Sequence, residues 1–150
     1  MKKTLTLLLS LLVSLSSLHS CKTSHRTLDL DLVAEKDKQK VYEFGISILE
    51  TCKTKKIIQL SQKVVTKKLS ELSLDQMQYT CDNLNKRNGN FIDMKLIEVI
   101  DDTFVNHSKI FRFKANFERN EFLNEVRIWL MDDGKIGGII LREWKDAYKP

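Results

Sequence analysis

Hydrophobic residues in the first half of the chain recur at steps of three and four, which is the spacing of one helix face. This pattern predicts a first helix over 34–52 and a second over 54–69. A third helix is predicted to begin at Ser73, where Gln76 completes a capping box, and to end at Gly89. Each helix has an apolar stripe, which indicates one buried face.

From residue 90 onward the pattern changes to an alternation of apolar and polar residues, which is typical of half-buried strands. It predicts a strand beginning at Phe91, a strand through 111–117, and strands over 122–131 and 136–144. The alternation slips around Ile97, which indicates a β-bulge. Three helices followed by four strands predict an α+β domain, with the helices packed on a curved four-stranded antiparallel sheet.

The first twenty residues differ from the rest of the chain. Lys2 and Lys3 precede an uncharged, mostly apolar run over 5–18. This arrangement is typical of a secretory signal peptide. The run is shorter than the roughly 20 residues that a membrane-spanning helix needs.

The end of that run resembles the lipobox of bacterial lipoproteins, in which an apolar residue stands three positions before an obligatory Cys. Leu18, Ser20 and Cys21 match the pattern, whereas His19 stands where a small or apolar residue is usual. The resemblance implies that 1–20 is a lipoprotein signal peptide and that Cys21 carries the lipid. The protein is then exported and anchored to a membrane of the bacterial cell envelope. The alternative is an ordinary signal peptide that leaves Cys21 as a free thiol.

Length and composition indicate one globular domain. The 150 residues are 42% hydrophobic and 30% charged with one Pro, which excludes collagen-like and proline-rich chains. We expect a tether over 21–33, a folded domain over 34–146 and a tail over 147–150. Removing the signal peptide lowers the basic count from 25 to 23 against 20 acidic residues, a net charge of +3. So mild a charge does not indicate a nucleic-acid partner.

Lipid on Cys21 leaves Cys52 and Cys81 as an even pair in an oxidising compartment. The pair either forms a disulfide or remains as two buried thiols, because both residues lie on apolar helical stripes. The sequence leaves both alternatives open.

The order of elements and the hairpin signal Asp133-Gly134-Lys135 resemble the nuclear-transport-factor-2-like (cystatin-like) superfamily over roughly 34–145. The similarity is nearest to small domains of unknown function in bacterial exported and lipid-anchored proteins. It implies a cone enclosed by the sheet and the helices. Some enzymes of the superfamily, such as ketosteroid isomerase, place a carboxylate base inside that cone. The glycine-containing loop motif of cystatin-type inhibitors is not found.

Side chains able to move a proton are present, but their spacing brings no two of them together. They are Tyr42 and Tyr79 on helices, Asp93 and Glu98 on the polar side of a strand, and His107 in a turn. The histidines lack metal-ligand spacing, and phosphate-loop and nucleophile-elbow motifs are missing. The sequence therefore assigns no catalytic residue, metal or cofactor.

Two surfaces are candidate contact sites. Alternation places Trp129 on the sheet face opposite the core, beside Arg127 and Met131, where an exposed aromatic would bind a protein partner or a second copy. The segment 51–70 has six lysines and no acidic residue, so it either faces anionic lipid headgroups or is a solvated face. These lysines are Lys53, Lys55, Lys56, Lys63, Lys67 and Lys68.

These observations favour a lipid-anchored binding or assembly module without catalytic activity, working outside the cytoplasm through the cone mouth or the outer sheet face. The alternative is a small-molecule carrier, or an isomerase-like or dehydratase-like enzyme, working inside the cone. A filled cone with an exposed aromatic sheet favours the first function. A deep cavity with an unpaired buried carboxylate favours the second.

The lipid anchor gives the first testable prediction. In bacteria fed labelled palmitate, Cys21→Ala is expected to abolish the label on the protein, because the lipid-bearing thiol is gone. Ser20→Ala keeps a small residue before the Cys and is expected to retain the label. Undiminished label on Cys21→Ala, measured on a denaturing gel, would rule out the anchor.

Overall fold

The computed structural model describes residues 25–119 and 123–150, so the predicted signal peptide over 1–20 and the predicted lipid site Cys21 lie outside the described residues. Five strands form one antiparallel sheet in the order β1-β2-β3-β4-β5. The elements are β1 (Arg26–Leu28), a 3-10 helix (Leu30–Leu32), α1 (Glu35–Thr54), α2 (Lys67–Ser70), α3 (Leu74–Asn88), β2 (Phe91–Asp101), α4 (Thr103–Asn106), β3 (Ser108–Phe117), β4 (Glu125–Met131) and β5 (Ile136–Arg142).

The fold class is α+β, as predicted, and the core lies between the sheet and α1. This helix contacts β2 and β4, and α3 packs against it. Gly45 permits the close approach of α1, since a Cβ there would come within 2.9 Å of the Ile128 side chain. The largest core side chains of the sheet are no more than 1% exposed: Phe111, Phe113, Phe117 and Ile128.

Local signals in the sequence were accurate for α3 and β2. Ser73 and Gln76 form the predicted capping box, and Gly89 caps the other end of α3 with φ 74°. The pairing of β2 with β3 shifts between Leu96 and Glu98, which confirms the bulge at Ile97. Bulges of this kind bend a strand and increase its twist.

The helix predicted over 54–69 is wrong. Helix α1 ends where Lys55 adopts a left-handed conformation, and only Lys67–Ser70 is helical in the rest of that segment. Val65 instead forms a parallel bridge to Ile136 of β5. Its β-branched neighbours disfavour a helix, and the bridge gives the backbone a hydrogen-bonding partner in the sheet.

The sheet has five strands, so the predicted count of four is wrong. Arg26–Leu28 pairs antiparallel with the end of β2, and the 3-10 helix follows at once. The tether predicted over 21–33 and the domain start at residue 34 are therefore corrected. A three-residue edge strand is too short to show an alternation in the sequence. Only residues 22–25 separate Cys21 from β1.

A disulfide joins Cys52 of α1 to Cys81 of α3, with Cα atoms 4.7 Å apart, which is the first of the two alternatives. Both residues are buried. The Asn85 side-chain amide adds a 2.8 Å hydrogen bond to the carbonyl oxygen of Cys52. The bridge therefore fixes α3 against the end of α1.

Loss of this bridge is expected to destabilise the domain. The double variant Cys52→Ala/Cys81→Ala should lower the free energy of unfolding by about 3–4 kcal/mol, because the unfolded chain regains the freedom of the closed loop. Urea unfolding measures the difference, and Cys21→Ala is the control that keeps the bridge. Equal stability of the double variant and the parent would contradict the assignment.

Candidate functional site

The outer face of the sheet, opposite the helices, holds a buried ionic network. Arg112 of β3 is fully buried and donates through Nε and Nη2 to the two carboxylate oxygens of Glu125 on β4, at 2.8 and 2.9 Å. Arg112 also pairs with Glu98, and Arg127 pairs with Glu125. Two positive and two negative charges are thus balanced, which buried ions require.

Residues 143–150 cover this network. The guanidinium carbon of Arg112 lies 4.8 Å from the ring centre of Trp144, and that of Arg127 lies 4.6 Å from the ring centre of Tyr148. Arg112 also donates to the main-chain oxygen of Lys145 at 2.8 Å. The segment predicted as a separate tail over 147–150 is therefore part of the folded domain.

The predicted partner surface around Trp129 is corrected by this cover. Arg127 is only 3% exposed and is engaged by Glu125 and Tyr148, while Trp129 and Met131 are half-buried. Alternation placed all three residues on the outer face correctly. It contains no signal that Tyr148 returns to cover Arg127.

The charge state of the network follows from its contacts. Burial acts to raise the pKa of Glu125, but hydrogen bonds and charges from Arg112 and Arg127 outweigh burial and hold the pKa below its ordinary value of 4.5. Burial raises the pKa of the Tyr148 phenol. Glu125 is therefore ionised and Tyr148 neutral at pH 7.

A second buried carboxylate lies at the edge of this cover. Asp102 is 3% exposed, and its Oδ2 accepts a 2.6 Å hydrogen bond from the side-chain amide of Asn106. Its Oδ1 makes no hydrogen bond with the described residues and lies 3.8 Å from Nδ1 of His25. No motif in the sequence distinguishes Asp102 from other acidic residues.

The helix side of the sheet contains an apolar cavity of about 200 Å³. Its walls come from α1, α3, the segment 57–72 and β5, and the disulfide is part of the lining. Thr51, Gln76 and Thr80 are the polar side chains among the described lining residues, and none of those residues is titratable. The aliphatic walls include Ile48, Leu60, Leu69, Met77, Leu84 and Leu141.

A more open groove of about 420 Å³ adjoins this cavity along β5. Cavity and groove share four wall residues, Thr80, Leu84, Ile139 and Leu141. The groove adds Tyr79 and Arg87 from α3 and Ile140 from β5. We call the cavity and the groove together the β5 site.

The five candidate proton-transfer residues are not brought together. Tyr42 is 41% and Tyr79 72% exposed, and only Tyr79 borders the β5 site. Asp93 is exposed and bonded to an Asn side chain, Glu98 belongs to the outer network, and His107 is an exposed turn residue.

The six lysines of 51–70 do not form one patch, because the segment is not a helix. Lys53, Lys55 and Lys56 lie at or just beyond the C-terminal end of α1. Lys40, near the other end of α1, donates to the main-chain oxygen of Gly134 in the β4–β5 turn. The C-terminal end of α1 is about 20 Å from Lys40 along the helix axis, and so is far from that turn. The other three flank Val65, and hence the start of β5: Lys63, Lys67 and Lys68.

The described residues contain neither a metal-binding group of side chains nor a membrane-spanning helix. Over 25–119 and 123–150, no group of three His, Cys, Asp or Glu side chains is arranged to hold a metal ion. No helix in the same part of the chain is long and apolar enough to cross a membrane.

Comparison of the chain with protein-family models, with curated proteins and with solved structures finds no match. The contacts and cavities described above are therefore the basis for a functional assignment.

The ionic network predicts how stability depends on pH. Glu125→Gln is expected to lower the free energy of unfolding by about 3 kcal/mol at pH 7, because Arg112 and Arg127 lose their buried anion. Since the folded-state pKa of Glu125 is depressed, its contribution is present above its unfolded-state pKa and disappears as pH falls through the folded-state pKa.

Urea unfolding from pH 7 down to pH 3 measures this effect. The difference between parent and Glu125→Gln should shrink as the pH is lowered. Glu43→Gln, an exposed change on α1, is the matched control and should stay within about 0.5 kcal/mol of the parent. A constant difference for Glu125→Gln across the range would be inconsistent with an ionised buried carboxylate.

Proposed function

We propose that the protein is a non-catalytic binding module of the bacterial cell envelope, held outside the cytoplasm by lipid on Cys21. We further propose that its domain is a cone of the nuclear-transport-factor-2-like (cystatin-like) type. Helices α1 and α3 on one face of a bulged antiparallel sheet support the cone. The apolar β5 site is the observation that carries the binding role.

The link between Cys21 and β1 is short, which supports a position of the domain close to the membrane. An extended chain spans at most about 3.6 Å per residue, so Cys21 and Arg26 are at most about 18 Å apart. Arg26 pairs with Asp101 at one end of the sheet. A lipid on Cys21 therefore holds this end of the domain beside the bilayer.

The outer sheet face and the β5 site differ in how well they suit a ligand. Residues 143–150 cover the part of the outer sheet face around Arg112 and Arg127, through Trp144 and Tyr148. The β5 site is apolar, and ligand sites are typically apolar clefts with a few polar groups. It therefore suits aliphatic or aromatic groups of a ligand.

The lining of the cavity also argues against the enzymatic alternative. Proton transfer needs a titratable side chain within hydrogen-bond reach of the substrate. The described lining residues of the cavity provide hydroxyl and amide groups, from Thr51, Gln76 and Thr80. The adjoining groove adds Tyr79 and Arg87. The buried carboxylate of Asp102 lies at the edge of the outer cover and is not among the described lining residues of the cavity.

Binding of a neutral fluorescent probe tests the proposed site. N-phenyl-1-naphthylamine is expected to bind with increased fluorescence, because its rings leave water for an apolar cavity. Thr80→Trp places a large side chain in the wall shared by cavity and groove, and should weaken binding at least about tenfold, equal to 1.4 kcal/mol.

Thr54→Trp, an exposed change outside the lining, is the matched control and should bind the probe like the parent. Absence of probe binding to the folded parent, or equal binding by Thr80→Trp, would overturn the proposed site.

A further inference from the structure

We propose that the β5 site accepts an extended segment of another protein as an added β-strand, and that this segment is apolar in its middle and acidic at both ends. The proposal rests on the binding role above and names the class of partner. It follows from three features of the site: an unpaired strand edge, an apolar wall beside that edge, and positive charge at both of its ends.

The unpaired edge belongs to β5, the last strand of the sheet. One side of β5 pairs with β4, and on its other side Ile136 is bridged to Val65. No strand among the described residues pairs with the rest of that side, through Arg142; α2 contacts β5 without pairing with it. The run from Ile136 to Leu141 contains no charged or proline residue. Charged and proline residues usually protect an exposed strand edge from pairing. Because β5 has none between Ile136 and Leu141, its edge can pair with an added strand.

The wall beside the edge is formed by α3. The groove of about 420 Å³ and the cavity of about 200 Å³ lie between this helix and β5. An added strand directs alternate side chains to opposite sides, so every second one would point toward this space. Leu84 and Leu141 line both spaces and would contact those side chains. A sheet edge that provides main-chain bonds, with pockets for alternate side chains, is a known mode of peptide recognition.

Positive side chains stand at both ends of this edge. Lys63 and Lys68 flank the bridge at Ile136, and neither has an ion-pair partner among the described residues. At the other end Arg87 lines the groove and has no ion pair with the described residues, and Arg142, the last residue of β5, donates to the main-chain oxygen of Pro150 at 3.0 Å. Acidic residues on both sides of an apolar centre would complement these charges.

The same charges disfavour a second copy of this chain as the occupant. Antiparallel pairing of two β5 edges would place the Lys63 and Lys68 end of one copy against the Arg87 end of the other. Parallel pairing would place each end against its own equivalent. Either arrangement sets like charges together, which destabilises a pair of strands.

The test uses the lipid-bearing protein in a neutral detergent and a capped nine-residue peptide. The peptide has five alternating Val and Thr residues flanked by two Asp on each side. At low salt we expect it to bind, and to bind at least about tenfold more weakly when Lys replaces the four Asp residues. Methylating alternate backbone nitrogens should weaken binding by a similar factor, because an added strand needs those donors.

Two variants identify the surface. The double change Lys68→Glu/Arg87→Glu should weaken the Asp-flanked peptide and strengthen the Lys-flanked one, each about tenfold. Lys95→Glu on β2, which is exposed and outside the lining of the β5 site, is the matched control and should change neither. Bound peptide should also slow amide exchange over 138–142.

Several results would overturn the proposal. These are equal affinity for the two peptides, undiminished binding of the methylated peptide, or slowed exchange elsewhere than β5.

A dimer of the free protein with protected β5 amides would assign the edge to a second copy. Protection by phosphatidylglycerol vesicles without peptide would assign it to the membrane. If the naphthylamine probe still binds, failure of the peptide leaves the proposed function standing; if neither binds, the function fails as well.

Discussion

The ion pair between Arg112 and Glu125 determines which surfaces of this domain are free. Both side chains are fully buried on the sheet face opposite the helices. Buried ions are tolerated only when paired and hydrogen-bonded. The cover that excludes water comes from residues 143–150, through Trp144 and Tyr148. The part of the outer face around Arg112 and Glu125 is thereby covered by the chain itself.

On the helix side of the sheet, the disulfide stabilises the packing of the two long helices. It ties α3 to α1 through Cys52 and Cys81, so α3 is held by another helix as well as by its packing. Segment 57–72 closes the cavity between these helices and β5. An apolar cavity among fixed elements is suited to apolar side chains of a ligand, because its shape exists before binding. The polar side chains among its described lining residues are Thr51, Gln76 and Thr80.

The sequence predicted those parts of the fold that depend on interactions between residues close together along the chain. The capping box of α3 and the bulge of β2 were predicted from neighbouring residues. Long-range contacts explain what was missed. Val65 pairs with Ile136, 71 positions away, so 54–69 had helical spacing but no helix. The outer network was missed because Arg112, Glu125 and Arg127 occupy alternating polar positions that look solvated until Trp144 and Tyr148 return to cover them. The lysines of 51–70 lie partly at the end of α1 and partly around Val65, which a helix over 54–69 did not predict.

Amide hydrogen exchange of the full chain, in membranes from bacteria that express it and after purification in detergent, tests the central claim most directly. That claim is that the β5 edge, and not the outer sheet face, meets the partner. Slower exchange over 138–142 in the membranes, with unchanged exchange over 143–150, is the result the account predicts. Protection confined to 143–150 and the outer face, or no change along β5, would contradict it.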